Sequence, residues 1–175
     1  MPLATLLWHF SRAMAFASLK NGSNAGEEQR LFNETKKQVF ETKIFQRNST
    51  KKMVSVMEYL MAAKIAENDN LTNEAIKFFQ QAINEQDSLP YNESPIWFFS
   101  VRQYLGAFFL KIGRYKEAEQ VFREDLKKIP NNSRSLFGLK ESLAAQSNFY
   151  GLSWVDRAFQ QAFKYSDISL TIDNL

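Results

Sequence analysis

Histidine occurs once, at His9, in a chain of 175 residues that has no cysteine. One imidazole and no thiol cannot build a two-histidine metal site or a Cys-His pair, and no Ser-His-Asp triad is expected around His9. It reads as a packed or surface residue rather than a ligand, and neither a metal nor a cofactor is expected. The carboxylates Glu117, Glu119 and Glu124 alternate with Lys116, Arg123 and Lys127. Such a pattern is a solvated helix face, and solvation explains it without acid-base chemistry. No glycine-rich phosphate loop follows a strand pattern. The residues capable of chemistry therefore point to a non-catalytic protein.

The elements that position them are helical. Sixteen Phe stand against 6 Gly and 4 Pro, so core material is plentiful while the punctuation needed by many short strands is scarce. The net charge of +3 is mild and its signs are interleaved, which argues against nucleic acid. Residues 2–10 are apolar, but no Lys or Arg precedes them and the polar residues His9, Arg12 and Lys20 interrupt the apolar stretch, so no signal peptide is expected. No stretch approaches the roughly 20 apolar residues that span a bilayer. The expectation is a cytoplasmic protein without membrane insertion.

Residues 94–132 are the most informative. Ser94-Pro95 supplies an N-cap followed by proline at the first helical position, which predicts a helix start there. Trp97, Val101, Tyr104, Leu105, Phe108 and Ile112 then recur at three- and four-residue spacing, and Gly113 can end the helix in a left-handed conformation. A second helix places Ala118, Val121, Phe122, Leu126 and Ile129 on one face and closes at Pro130-Asn131-Asn132. Gly106 and Ala118 allow close approach in this hairpin, with Phe109 and Phe122 filling the space beside them. Neither helix buries its other apolar side alone, so neighbouring pairs are required.

Leu105-Gly106, Phe109, Gly113, Tyr115, Ala118, Phe122 and Pro130 fall in the order and spacing of the tetratricopeptide repeat, which the segment resembles. It departs at Arg102, where tryptophan is usual, and at Asp125, which replaces a small residue of the second helix. Ala75, Phe79 and Ala82 repeat the second-helix pattern, with about nine residues inserted before Ala118 relative to the usual period. Ala62-Ala63 precede them. Downstream, Leu136, Leu139 and Leu143 form the next helix face, and Ser153-x-x-Asp156 resembles a capping box opening its partner. Upstream, residues 6–20 read as a helix with Ala15 at the close-packing place, followed by a partner over 27–45. Ile168, Leu170 and Ile172 alternate as in an extended tail packed on the last pair; a frayed end accounts for them equally.

The expected fold is therefore all-α: a right-handed superhelical stack of antiparallel helix pairs forming a single domain over 1–175. The pairs fall at approximately 4–45, 50–86, 95–130 and 133–166, with a tail at 167–175. The run from Leu89 to Leu139 is also similar to the C-terminal part of longer bacterial tetratricopeptide proteins of unassigned activity, which implies that relatives carry further repeats ahead of Met1.

The family resemblance implies a concave groove, lined by the first helix of each pair, that holds a peptide or a partner's helix. Carried over, it places His9, Arg12, Phe16, Met57, Leu60, Lys64, Gln103, Arg134, Phe137 and Glu141 at that groove. The partner is expected to be a protein or peptide, not a nucleic acid. The family's carboxylate-clamping subclass uses Lys and Asn donors where this chain has Phe16, Met61, Ser100 and Tyr104, so no chaperone-tail clamp is expected. Tyr91, Glu93, Trp97 and Arg102 surround the inserted loop. They form either a recognition loop in which Glu93 pairs with Arg102 at the groove rim, or a staple held by Tyr91 and Trp97. The alternative functions are self-association into a homo-oligomer through Trp8, Phe10 and Met14, or a small-molecule-binding or enzymatic accessory role.

Overall fold

A computed structural model describes residues 2–40, 48–90, 97 and 99–175. Among them the chain is all-α: eight helices and one 3-10 turn, with no strand. The helices are α1 (Pro2–Ser18), α2 (Gly22–Phe40), α3 (Asn48–Asn68), α4 (Thr72–Asp87), α5 (Val101–Lys111), α6 (Tyr115–Lys128), α7 (Ser133–Ala145) and α8 (Phe149–Phe163). No described helix is long and apolar enough to cross a membrane. The contacts group into two compact units, Met1–Phe98 and Phe99–Leu175.

In the first unit α1 packs on α2, α3 packs on α4, and the first helices α1 and α3 also meet. Leu6, Ala13, Phe32, Val39, Val54, Met57 and Met61 form its core, with Leu3, Phe10, Met53, Ile65 and Trp97 packed around them. In the second unit α5 packs on α6, α6 on α7 and α7 on α8, while the first helices α5 and α7 again touch. Its core includes Leu105, Phe109, Phe122, Leu139 and Leu143. Within each unit, consecutive helices packed on one another with first helix on first helix is the order of stacked helix pairs.

One turn recurs four times. Lys20, Asn70, Gly113 and Ser147 each hold a positive φ of 57°, 60°, 75° and 56°. In each turn, the following residue donates its N–H to a carbonyl five residues back: Asn21 to Phe16, Leu71 to Ala66, Arg114 to Phe109 and Asn148 to Leu143. The positive-φ residue itself donates three residues back, to Ala17, Glu67, Leu110 and Ala144. This pair of hydrogen bonds satisfies orphan carbonyls of the first helix and reverses the chain into the second. Only Gly113 is a glycine; elsewhere Lys, Asn and Ser carry a conformation that costs a side chain roughly 1 kcal/mol.

Several expected boundaries move. α5 begins at Val101: Trp97 and Phe99 are non-helical and Ser100 is the extended N-cap with φ −69° and ψ 124°, while the expected start at Ser94-Pro95 lies outside the described residues. The Ser100 hydroxyl does not cap its own helix but donates to Asp125. α2 begins at Gly22 rather than 27, because the Asn21 side chain accepts from the Asn24 N–H at 3.2 Å and opens the helix there. α8 begins at Phe149 because Asn148 caps it by accepting from the Gly151 N–H at 3.1 Å. Ser153 then lies inside the helix and donates to the Tyr150 carbonyl at 2.9 Å. On α1, Ala13 and Ala17 are buried whereas Ala15 is exposed, since the helix presents the row of Leu6, Ala13 and Ala17 inward. The last residues are not extended on the final pair: Ile172–Asn174 form a 3-10 turn against α5.

Candidate functional site

What positions the first helices of the second unit is one ring. Phe122 on α6 is fully buried and lies against the backbones of both α5 and α7. A Cβ added at Gly106 on α5 would stand 2.5 Å from the Cζ of Phe122, and one at Gly138 on α7 would be closer still. The two glycines therefore form the walls of a slot, and the ring that fills it fixes α5 and α7 side by side.

A buried carboxylate fixes where those helices start. Asp125, also on α6, is 1% exposed. Its Oδ1 accepts from the hydroxyl of Ser100, the N-cap of α5. Its Oδ2 accepts from Ser135 in the first turn of α7 at 2.5 Å and from the side-chain amide of Asn132, the N-cap of α7, at 2.9 Å. The negative charge thus sits at the N-terminal ends of both first helices, where their dipoles favour it. The sequence signal was present, an acid where the tetratricopeptide pattern has a small residue, but its partners came from the starts of two other helices.

Lys111 from α5 and Arg134 from α7 come together on one side of these helices, both reached by the turn at 172–174, and Tyr104 stands near Arg134; Gln103 shares α5, and Phe137 and Glu141 share α7. Gln103 and Phe137 are buried; Arg134 and Glu141 remain partly exposed. Burial pushes the Tyr104 hydroxyl above its ordinary value, with the nearby charge of Arg134 acting in the opposite direction. Tyr104 and Lys111 were missed as candidates, although their seven-residue spacing puts them on one helix stripe.

In the first unit, the expected candidates divide. Met57 and Leu60 are 2% and 1% exposed and belong to the core of α3. Lys64 lies one turn further along α3 and pairs with Glu67 at 2.5 Å. On α1, His9 Nδ1 lies 2.7 Å from Oε2 of Glu28, and Arg12 Nε donates to Oε1 of the same carboxylate at 2.7 Å. The Arg12 guanidinium stands 5.4 Å from the Trp8 ring and 5.5 Å from the Phe16 ring, in a ladder at four-residue spacing. Each such contact is worth about 0.5–1 kcal/mol at an exposed site. Trp8, 59% exposed, is the outward member of that ladder, whereas Phe10 packs edge-on against Trp97 with ring centroids 5.8 Å apart.

Burial acts to raise the Glu28 carboxyl, but hydrogen bonds from His9 and Arg12 and the charge of Arg12 outweigh it and hold the group below its ordinary value. A carboxyl lowered in the folded state stabilises the fold at pH values above its unfolded pKa. That contribution disappears as the pH falls through the folded value. Wild-type chain and Glu28→Gln are accordingly expected to differ in urea stability near neutral pH, with the gap closing between about pH 5 and about pH 3. A constant gap across that range would exclude Glu28 as the source.

Of the loop candidates, Tyr91 and Glu93 lie outside the described residues. Trp97 packs on the first unit's core, and Arg102 is buried on α5. A separate cleft of about 400 Å³ opens between α7 and α8, with Lys140, Glu141, Leu152 and Asp156 in its lining. Lys140 reaches Asp156 at 3.6 Å and lies over the Phe137 and Phe159 rings at 5.5 and 5.0 Å. No group of three or more metal-ligating side chains stands together among the described residues.

No protein-family model matches the chain, and no curated protein matches it.

Proposed function

We propose that this chain is a non-catalytic scaffold whose helix pairs are tetratricopeptide-like repeats, and that it binds a protein or peptide on the face formed by the first helices of the pairs. Each unit is then a piece of a right-handed superhelical stack, with first helices on the concave side. The observation that carries the reading is the Phe122 ring slotted between Gly106 and Gly138. It sets two first helices side by side, so Tyr104 and Lys111 stand beside Arg134, and in this reading the surface continues along α7 to Phe137 and Glu141. A surface mixing cations, an acid and aromatic area suits an extended peptide, whose backbone and alternate side chains need both kinds of contact. The link from this architecture to binding is an analogy of fold, and a binding experiment tests it.

Selection of a displayed random-peptide library on the folded chain, beside a variant carrying Arg134→Glu and Glu141→Lys, provides that experiment. The two replacements are at partly exposed positions and leave the Phe122 slot intact. Peptides retained by the native chain and lost by an equally stable variant are the expected result. Peptides held equally by both place binding elsewhere and contradict the proposal.

One observation favours self-association as a second reading. Phe149, Tyr150 and Trp154 on α8 are 71%, 81% and 61% exposed, an unusual density of outward aromatic rings on one helix. A single monomeric species across a wide concentration range in sedimentation would remove it.

A further inference from the structure

After α8 the chain does not run away from the second unit. Its Ile172–Asn174 turn lies against α5, three helices earlier in sequence. Asp173 reaches the Lys111 ammonium on α5 at 3.3 Å, and the Arg134 guanidinium on α7 donates to the Asn174 carbonyl. Leu175 is 7% exposed, in contrast to the outward Asp173 and Asn174 beside it. The segment also holds its own shape. Thr171 N–H donates to the Asn174 side chain at 2.8 Å, Asn174 N–H donates to the Thr171 carbonyl at 3.2 Å, and the Asn174 amide donates to the Ser169 carbonyl at 3.1 Å.

These contacts use the two cations, Lys111 and Arg134, that stand on the first-helix face described above. We infer that residues 171–175 are a built-in occupant of that face, and that its partner is a peptide carrying an acidic side chain shortly before a buried large aliphatic one. The inference rests on the proposed binding role and adds to it the ligand's chemistry and a competition. An acid answers Lys111, a backbone carbonyl answers Arg134, and an aliphatic side chain takes the place of Leu175. The hold is built to be reversible. One ion pair with an outward acid contributes little, and one buried side chain must offset the ordering of several residues. A tethered segment nevertheless acts at an effective concentration in the millimolar range, enough to exclude weak ligands.

The test uses the full chain and a fluorescent peptide of residues 166–175, amidated at its end so that no terminal carboxylate contributes. In the variant Asp173→Lys with Leu175→Ser, the tethered segment loses its ion pair and its buried side chain, and no residue of α1 to α8 is changed. Anisotropy titration is expected to give the variant at least about tenfold tighter binding than the wild-type chain. Adding Lys111→Glu and Arg134→Glu to that variant is expected to abolish the gain. Because Arg134 also adjoins Tyr104, a thermal melt must match, and Lys111→Glu alone is carried beside it. Equal affinity of the peptide for wild type and variant, or no binding to either, overturns the inference. A library-selected peptide that binds both chains equally at Arg134 and Glu141 overturns the competition while leaving the binding role standing. Failure of every selected peptide on both chains overturns the binding role itself.

Discussion

Replacing Gly138 with Ala lowers the unfolding free energy by about 1–2 kcal/mol, whereas the same replacement in a Phe122→Ala chain costs nothing or stabilises it. Two opposing effects set the sign. Ala is the better helix former by roughly 1 kcal/mol, because glycine loses more backbone entropy on folding. Against this, the new methyl would stand well inside van der Waals contact with the Phe122 ring. The ring has no room to yield, since Gly106 confines it from the other wall of the slot. Overpacking in a closed site costs about 1–3 kcal/mol and outweighs the propensity gain. Phe122→Ala alone is expected to cost about 3–5 kcal/mol through lost burial and the cavity left behind. With the ring gone, the methyl at 138 meets empty space and only the propensity gain remains. Urea denaturation of the four chains of this cycle measures the coupling directly. Additive effects would show that the ring does not set the spacing of α5 and α7.

The second large effect is at Asp125. Asp125→Ala is expected to cost about 3 kcal/mol, and Asp125→Asn clearly less. Truncation leaves the hydroxyls of Ser100 and Ser135 without their acceptor in positions that are 3% and 0% exposed. Hydrogen bonds to an ionised group are worth roughly 1.5–3 kcal/mol each, and the losses are not additive because the donors rearrange together. Asparagine keeps one acceptor oxygen but loses the charge that complements two helix N-termini. If Asp125→Ala were as stable as wild type, water would have to reach those hydroxyls, and the carboxylate would not be what aligns the helix starts.

These two residues mark the boundary of what the sequence discloses. Gly106, Ala118 and Phe122 stand at repeat spacing, so close helix approach beside a ring is readable from the chain itself. The pairing of α5 with α6 follows in the same way from Gly113, whose left-handed turn the sequence announces. At the equivalent turns Asn70 tolerates the left-handed conformation, whereas Lys20 and Ser147 carry no such signal and are identified by the repeated hydrogen-bond pattern. Asp125 reads as a departure from the repeat because its donors, Ser100, Asn132 and Ser135, are distant in sequence or belong to other helices. For the same reason the start of α5 is misplaced. Ser94-Pro95 satisfies every local rule for a helix start, while Ser100 is selected by a tertiary contact with Asp125.

The candidate face divides along similar lines. Arg134 and Glu141 are at partly exposed positions on α7, but Met57 and Leu60, set three residues apart like Arg134 and Phe137, are taken by the core. Periodicity finds a helix stripe; it does not distinguish the side packed on a neighbour from the side left open. The role of residues 171–175 is invisible to periodicity altogether, since it depends on Lys111 and Arg134 being brought together by the fold.

Photo-cross-linking of a library-selected peptide tests the central claim most directly, with a benzophenone side chain installed in place of Glu141 on α7 or of the exposed Gln120 on α6. The account predicts a peptide adduct from position 141 and none from position 120. An adduct from position 120 with none from 141 would place binding on the second helices and contradict it.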